Sequence, residues 1–215
     1  MNLYLVKTPI ILQRLFRSYS WRFRTLKKEI YLTFDDGPTP EITNWVLSEL
    51  EKHNAKATFF CIGKNIQQYP QIFNNIIAGN HSVGNHTHNH KNGFQTDLKS
   101  YVEDVLEAQL AFNQQKKEDN SSILFRPPYG KIKRKQARKL QNLGYKIVMW
   151  DVLSADFDNA ISKEKCLNNV LKNTEKGSII VFHDSVKASE KLHHALPKVL
   201  EYFSKKGYIF KAINS

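Results

Sequence analysis

Two histidines four residues apart are the first feature of this sequence that could do chemistry. His86 and His90 enclose Thr87, His88 and Asn89, and one helical turn or a tight loop of that length can point both imidazoles to one side. Imidazole nitrogens are common ligands of divalent metal ions, so the spacing indicates a metal site. The same polar stretch also fits a solvated loop, and the pair by itself does not decide between the two interpretations.

Two adjacent acids, Asp35 and Asp36, stand directly before Gly37-Pro38. Asp before Gly-Pro commonly forms a turn, and this pair could simply cap the helix that follows. Beside a metal ion, however, one carboxylate can be a ligand while the other accepts a proton from water. Two histidines and one carboxylate are also the ligand set of hydrolytic zinc sites that keep a position open for water.

The segments around these residues alternate between strand and helix patterns. The pattern predicts strands over 29–34, 57–62, 81–84, 123–125, 146–150, 178–182 and 208–212, and helices over 40–53, 66–78, 97–114, 133–143, 163–173 and 190–205. The polar segment 114–122 is expected to be a surface loop. Parallel strands need helical crossovers, so the order predicts an α/β fold, and about seven such units in a single domain favour a closed or nearly closed barrel.

Polar residues follow nearly every predicted strand. Active sites of β/α barrels form at the carboxyl ends of the strands, so residues far apart in the chain are expected to share one pocket. The residues at these ends are Asp35-Asp36, His86, His90, Arg126, Asp151, Asp156 and His183-Asp184.

The composition excludes several classes of protein. A chain of 215 residues with 41% hydrophobic and 24% charged residues is ordinary for one globular domain, which excludes disordered and collagen-like classes. With only Cys61 and Cys166, a disulfide framework or a four-cysteine zinc site is excluded, so a metal must be held by histidines and carboxylates. A net charge of +12 could favour nucleic acid, anionic lipid or an acidic wall polymer. No nucleic-acid recognition motif accompanies the charge, so no nucleic-acid partner is expected.

The first 28 residues form a segment of their own. They contain no continuous apolar core or small-residue cleavage site of a secretory signal, and no apolar run reaches the roughly 20 residues of a membrane span. A cytoplasmic and a membrane-associated location both fit. An amphipathic helix on a membrane surface could form from apolar and basic residues, but packing of the arm 1–28 on the barrel is the preferred expectation. The residues of this pattern are Ile10, Ile11, Leu12, Leu15 and Phe16 with Arg14, Arg17, Arg22 and Arg24.

Five ordered motifs of the sequence resemble a known family. They are Thr33-Phe34-Asp35-Asp36-Gly37, His86-Thr87-His88-Asn89-His90, Arg126-Pro127-Pro128-Tyr129-Gly130, the stretch 150–157 and Val181-Phe182-His183. Together they look like the motifs of the polysaccharide deacetylases, carbohydrate esterase family 4, with a NodB homology domain over 29–213. The resemblance implies a deformed (β/α)7 barrel and metal-dependent hydrolysis of N-acetyl groups from N-acetylglucosamine polymers such as peptidoglycan or chitin.

The resemblance also implies a role for each motif residue. Asp36, His86 and His90 would hold the metal, and Asp35 would be the catalytic base. In the other motifs, Arg126 would orient Asp35 and keep it ionised, the backbone N–H of Tyr129 would help to stabilise the oxyanion, His183 would be the general acid, and Asp156 would tune His183. The metal would be Zn²⁺, with Co²⁺, Ni²⁺ or Mn²⁺ as alternatives.

The fourth and fifth motifs depart from the family pattern. Leu153 stands at an acidic position and Phe157 replaces tryptophan, which puts the tuning of His183 in doubt. Val181 replaces the usual leucine, a change of apolar shape that should leave the chemistry intact. Sugar-stacking contacts are expected from Tyr129, Trp150 and Phe182, although a place in the core is the alternative for such aromatic residues.

The sequence thus predicts a monomeric, metal-dependent polysaccharide N-deacetylase with a carbohydrate polymer or oligomer as substrate. One alternative keeps the chemistry but uses another amide or a formamido sugar. A non-catalytic carbohydrate-binding protein of the same fold is the other, and it is disfavoured because every proposed chemical group from Asp35 to His183 is present.

Overall fold

A curled sheet of parallel strands forms the centre of this computed structural model, which describes residues 4–115 and 123–214. The strands lie in the order β5-β4-β3-β2-β1-β7-β6, and β8 pairs with the start of β1. This arrangement confirms the predicted single-domain α/β fold of a deformed (β/α)7 barrel. The strands are β1 (Glu29–Asp35), β2 (Ala57–Cys61), β3 (Ser82–Asn85), β4 (Ile123–Phe125), β5 (Tyr145–Ile147), β6 (Val152–Leu153), β7 (Ile179–His183) and β8 (Ile209–Phe210).

Helices connect the strands and cover the outside of the sheet. The predicted helix over 66–78 is wrong as a single helix, because the chain breaks at Tyr69-Pro70 into α3 and α4. Pro70 has no N–H to donate and disfavours the helical conformation in the residue before it. The helices are α1 (Ile10–Leu15), α2 (Ile42–Lys52), α3 (Gly63–Gln68), α4 (Pro70–Ala78), α5 (Leu98–Gln115), α6 (Arg134–Asn142), α7 (Lys163–Asn173) and α8 (Ser189–Lys205). The loop predicted over 114–122 begins inside α5 and otherwise lies outside the described residues.

The strand predicted over 146–150 ends early, which moves Asp151 away from the expected pocket. β5 ends at Ile147, and the chain then crosses over to start β6 at Val152, beside Ile180 of β7. Asp151 therefore precedes a strand and does not follow one. Its carboxylate accepts hydrogen bonds from the Ser178 hydroxyl and the Ile179 N–H, at the opposite end of β7 from His183.

The main core is formed by buried apolar residues of the strands and of the helices that cover them. On one face, the rings of Phe34, Phe59 and Phe182 stack between the sheet and the helices, with centroids 5.0 Å apart for Phe34–Phe59 and 6.2 Å for Phe34–Phe182. Phe182 is completely buried there and cannot present its ring to a substrate, which corrects the predicted sugar contact. Residues of the opposite face, including Thr33 and Asp35, point to the inside of the barrel because side chains alternate along a strand.

The N-terminal segment pairs with the open side of the sheet. Ser20 pairs with the chain at the end of β5, where its N–H donates to Ile147 O (2.9 Å) and its carbonyl accepts from Met149 N–H (2.7 Å). Lys7 forms an antiparallel bridge with Val152 of β6. These backbone contacts attach the segment to both edges of the sheet. Among the described residues, no helix is long and apolar enough to cross a membrane.

Candidate metal centre and active site

The carboxyl ends of five strands bring the predicted site residues to one edge of the sheet. Asp35, the last residue of β1, is the register partner of His183, the last residue of β7. His86 follows the end of β3, and the Arg126 N–H at the end of β4 donates to Asn85 O over 3.0 Å. Because these strands are parallel members of one curled sheet, their ends converge although the residues span about 150 positions of the chain.

Asp36, His86 and His90 form a cluster that can hold a metal ion. One ligand atom from each residue lies within 4.8 Å of the other two. The Asp36 Oδ1 atom is 3.7 Å from His86 Nε2 and 3.2 Å from His90 Nε2. This buried oxygen has no hydrogen-bond partner among the described residues, which is costly unless a cation binds it. The orphaned oxygen and the donor set therefore fit a divalent metal ion.

The protonation of His86 is also suited to metal binding. Its Nδ1 lies 2.7 Å from the Arg126 carbonyl oxygen, which can only accept, so Nδ1 bears the proton and donates it. Burial lowers the pKa of His86 to about 4, which keeps the ring neutral and leaves a lone pair on Nε2 toward Asp36. Burial raises the pKa of Asp36, but the neighbouring imidazoles, first that of His90, outweigh burial and hold the pKa below its usual range.

Two of the three candidate ligand residues have an uncommon backbone conformation. Asp36 has φ 83° and His90 has φ 54°, in the left-handed region that residues other than glycine rarely adopt. The Asn65 side-chain amide donates to Asp36 O over 2.7 Å and so holds the first ligand loop. Such strain persists only where surrounding contacts enforce it, and it clusters at functional sites.

A buried carboxylate that the sequence did not indicate holds the histidine loop. Asp104 of α5 accepts hydrogen bonds from the backbone N–H groups of His88 (2.8 Å) and Asn89 (3.0 Å) and from the Asn89 side-chain amide (2.7 Å). Asn85 supports the same loop by accepting from Thr87 N–H over 2.9 Å. Asp104 follows Glu103 in an amphipathic helix, where acids normally face solvent, so no sequence signal distinguished it.

Asp35 and Arg126 form a buried ion pair on one side of the cluster. The Arg126 guanidinium is completely buried, and its Nη1 donates to Asp35 Oδ1 and to Thr33 Oγ1, both at 2.7 Å. The carbonyl oxygens of Val148 and Met149 accept from the remaining nitrogens at 3.2 and 3.0 Å. This fork fixes one oxygen of Asp35 and compensates its negative charge.

His183 and Asp156 form a second pair on β7 and the loop after β6. Asp156 accepts from both the backbone N–H and the Nδ1 of His183, each at 2.7 Å. Burial lowers the pKa of His183, but the adjacent Asp156 carboxylate outweighs burial and raises the pKa to about 10. The contact forms although Leu153, which is buried within β6, stands at an acidic position of the motif.

Comparison with known proteins shows the family of this chain. The family model for polysaccharide deacetylases matches residues 23–148, more than half of the chain. The chain belongs to the polysaccharide deacetylase family. It is 33% identical over 196 residues to a peptidoglycan-N-acetylglucosamine deacetylase of Bacillus cereus, covering 91% of each chain. It is 34% identical over 168 residues to a chitooligosaccharide deacetylase of Azorhizobium caulinodans, covering 76% of this chain and 77% of the relative.

The fold of this polysaccharide deacetylase is also similar to the folds of solved structures. A peptidoglycan N-acetylglucosamine deacetylase in complex with 4-naphthalen-1-yl-N-oxidanyl-benzamide superposes with a TM-score of 0.86 at 31% identity, covering 96% of this chain and 95% of the other. The peptidoglycan deacetylase PdaC of Bacillus subtilis gives a TM-score of 0.77 at 27% identity, covering 87% and 89%. Deacetylases of this family depend on a metal ion, and the Asp36, His86 and His90 cluster is where this chain can hold one.

Aromatic residues lie around the centre of the deacetylase. Tyr129 is 61% exposed, has φ 60° and places its ring centroid 4.7 Å from that of His90, so it is available to a ligand. Trp150 is half-buried and lies 5.7 Å from the Arg126 guanidinium carbon. Phe157 lies edge-on to His183 with centroids 5.1 Å apart, and Tyr4 of the N-terminal segment lies edge-on to Phe157 at 5.6 Å.

Proposed function

We propose that this polysaccharide deacetylase hydrolyses N-acetyl groups of N-acetylglucosamine units in peptidoglycan or chitin-type oligomers. The observation that supports the proposal is the cluster of Asp36, His86 and His90, with the Asp35–Arg126 pair and the His183–Asp156 pair around it. An amide hydrolase needs a group that accepts a proton, a group that donates one and an electrophile. This edge of the sheet offers residues for the first two and a cluster that could hold a metal ion as the third. The similar proteins from Bacillus and Azorhizobium are named for the same reaction on such polymers.

Asp36, His86 and His90 would hold a zinc ion, with cobalt, nickel or manganese as alternatives. Two imidazoles and one carboxylate suit zinc, and catalytic zinc sites of this kind keep a position open. Held by these residues, the ion would supply Lewis acidity toward water and toward the amide carbonyl oxygen. The proton transfers and the oxyanion contact are assigned to residues of the chain.

Asp35 is assigned as the general base. Its Oδ1 is held by Arg126, so the second oxygen is the one left to accept a proton from the attacking water. The Arg126 guanidinium pairs with Asp35 at 2.7 Å inside the barrel, and this contact orients the carboxylate and compensates its negative charge. The backbone N–H of Tyr129 is assigned to the developing oxyanion.

His183 is assigned as the general acid. The Asp156 contact at Nδ1 orients the ring, leaving Nε2–H to protonate the sugar nitrogen as the C–N bond breaks. Water contributes its hydroxyl to the acetyl carbon and its proton to Asp35. The products are acetate and a glucosamine unit, so the reaction balances without an oxidant or a further co-reactant.

Further assignments concern the sugar contacts, the division of the chain and its assembly. Tyr129 and Trp150 are assigned to contacts with the sugar, since both lie near the cluster and are at least partly exposed. We assign residues 29–213 to the catalytic domain and 1–28 to an arm that packs on it, and we propose that the protein acts as a monomer. Peripheral contact between this arm and a membrane is a separate part of the proposal.

Acetate release tests the proposed reaction. Metal-stripped protein is incubated with N-acetylglucosamine oligomers and with purified peptidoglycan, before and after addition of zinc or cobalt. We expect release only after metal is restored, and no release from His86→Ala under any metal. His194→Gln, which removes an imidazole that pairs with Glu164 between α8 and α7, should release acetate like the wild type.

Two results would contradict the proposal. Release of formate or another acid in place of acetate would move the substrate to a different amide. Absence of any release from folded, metal-loaded protein on both polymers would point to a carbohydrate-binding protein without activity.

A further inference from the structure

Helix α1 of the N-terminal segment turns its apolar side to solvent. Ile10 is 58% exposed, Ile11 73% and Leu15 62%, and Arg14 lies between them on the same face of the helix. Leu12 and Gln13 occupy the opposite, half-buried side. An amphipathic helix that packs on its own domain turns its apolar face toward the core. In α1 the apolar face points to solvent instead.

A basic groove adjoins this face. Its volume is about 850 Å³, and Arg14, Arg17, Arg22, Arg24 and Lys176 line it without any acidic side chain. Ile10 and Leu26, the latter 95% exposed, lie along the same groove. Arg22 is paired with Glu175, whereas Arg14 and Arg24 have no ion pair within residues 4–115 and 123–214.

The charge of the arm is entirely of one sign. Residues 1–28 contain seven lysines and arginines and no aspartate or glutamate, whereas the net charge of the whole chain is +12. The backbone contacts of Lys7 and Ser20 with the sheet hold both flanks of α1, so the face is presented by an anchored segment. An exposed apolar face beside unpaired arginines needs a partner that offers both an apolar interior and negative charge.

We propose that Ile10, Ile11, Leu15, Leu26, Arg14 and Arg24, called the arm surface, bind a bilayer containing anionic phospholipid. The arginines would contact lipid phosphates at the headgroup level, while the isoleucines and leucines enter the boundary of the acyl chains. A soluble anionic polymer would satisfy the arginines but leave the apolar side chains in water, so it does not explain their exposure. The inference extends the proposed membrane contact and does not depend on the deacetylase reaction.

Vesicle co-sedimentation of the full chain tests the arm surface. Vesicles of phosphatidylcholine alone are compared with vesicles of equal parts phosphatidylcholine and phosphatidylglycerol. We expect binding to the anionic vesicles only, weakening as salt is raised. Ile10→Ser/Ile11→Ser and Arg14→Gln/Arg24→Gln should each weaken binding at least tenfold. Lys163→Gln/Lys165→Gln, which removes the same charge from exposed positions of α7, should change it less than twofold.

The failing outcomes are distinct. If the α7 variant weakened binding to the anionic vesicles equally, the net charge of the chain would explain the binding without the arm surface. Loss of binding in the arginine variant but not the isoleucine variant would assign the groove to a soluble anion. A change from dimer to monomer in the isoleucine variant, measured by sedimentation, would assign the face to a second copy of the chain. Acetate release from soluble oligomers is measured for every variant, and unchanged release separates loss of membrane binding from misfolding or failure of the proposed reaction.

Discussion

Gly37 donates its backbone N–H to Oδ1 of Asp184 over 3.0 Å, which ties the loop after β1 to the loop after β7. Asp184 returns the contact, because its own N–H donates to Asp35 O over 3.1 Å. Thr43 of α2 donates to the other carboxylate oxygen. Asp184 is completely buried and follows His183 directly, so the backbone and side chain of one residue join the proposed base, the proposed ligand loop and the proposed acid.

Substitution of Gly37 by alanine should disrupt this connection. A Cβ at Gly37 would lie 2.0 Å from Asp184 Oδ2, so the loop bearing Asp36 must move. A displacement of about 1 Å can cost on the order of a hundredfold in rate, and we expect a loss of that order in kcat/KM together with weaker metal binding. Gly144→Ala is the control, since a Cβ there meets nothing and only its positive φ opposes alanine. Wild-type kinetics for Gly37→Ala would show that the contact does not position the site.

Metal binding should raise the thermal stability of the protein. An ion that binds the folded chain only stabilises it by about 2.7 kcal/mol at a concentration one hundred times its Kd. The expected result is a higher Tm when zinc is added to metal-stripped wild type, and no rise for His86→Ala or Asp36→Ala. Differential scanning calorimetry measures both. An equal rise in the variants would locate the stabilising ion elsewhere.

The His183–Asp156 pair should make stability depend on pH. The pKa of His183 is about 10 in the folded protein against 6.5 as its ordinary value, so the folded state binds the proton more tightly. The stabilisation is therefore complete below about pH 6.5 and is lost as pH rises toward 10. Urea unfolding of metal-free protein across this range should show a falling free energy of unfolding.

Variants of two neighbouring acids separate this effect from the other titrating groups. Asp156→Asn should be less stable than wild type at pH 6.5 and show a smaller decline toward pH 10. Asp158→Asn removes the negative charge of a carboxylate that accepts from Tyr4 over 2.7 Å but should keep the wild-type decline. If the free energy of unfolding falls in parallel for Asp156→Asn and wild type from pH 6.5 to pH 10, the His183–Asp156 pair is not the cause of the decline.

Arg126 should not be replaceable by lysine. Its guanidinium makes four hydrogen bonds inside the barrel, a planar pattern that an ammonium group cannot reproduce. Breaking a buried ion pair costs about 3–5 kcal/mol, so we expect Arg126→Lys to lower the free energy of unfolding by a few kcal/mol and to reduce acetate release. Arg22→Lys is the matched control, because Arg22 pairs with Glu175 at the surface. Denaturant unfolding compares the two, and similar small losses would refute the structural role given to Arg126.

Residue pattern alone was enough to predict the alternation of strands and helices, and it gave α7 its observed bounds. The motif residues could also be predicted, because ligand and acid–base chemistry restricts which side chains can serve. Short strands were harder to predict. The two-residue strand β6 is too short to show periodicity, so the end of β5 and the place of Asp151 were predicted wrongly.

Contacts between distant segments were decided only by the tertiary structure. Burial of an acid such as Asp104 or Asp184 depends on which backbone N–H groups the fold brings to it, and no local pattern encodes that partner. The outward orientation of α1 is likewise set by how the flanking backbone pairs with the sheet, since its apolar spacing is the same whichever way it faces. Local chemistry fixed which residues can react, and long-range packing fixed which of them meet.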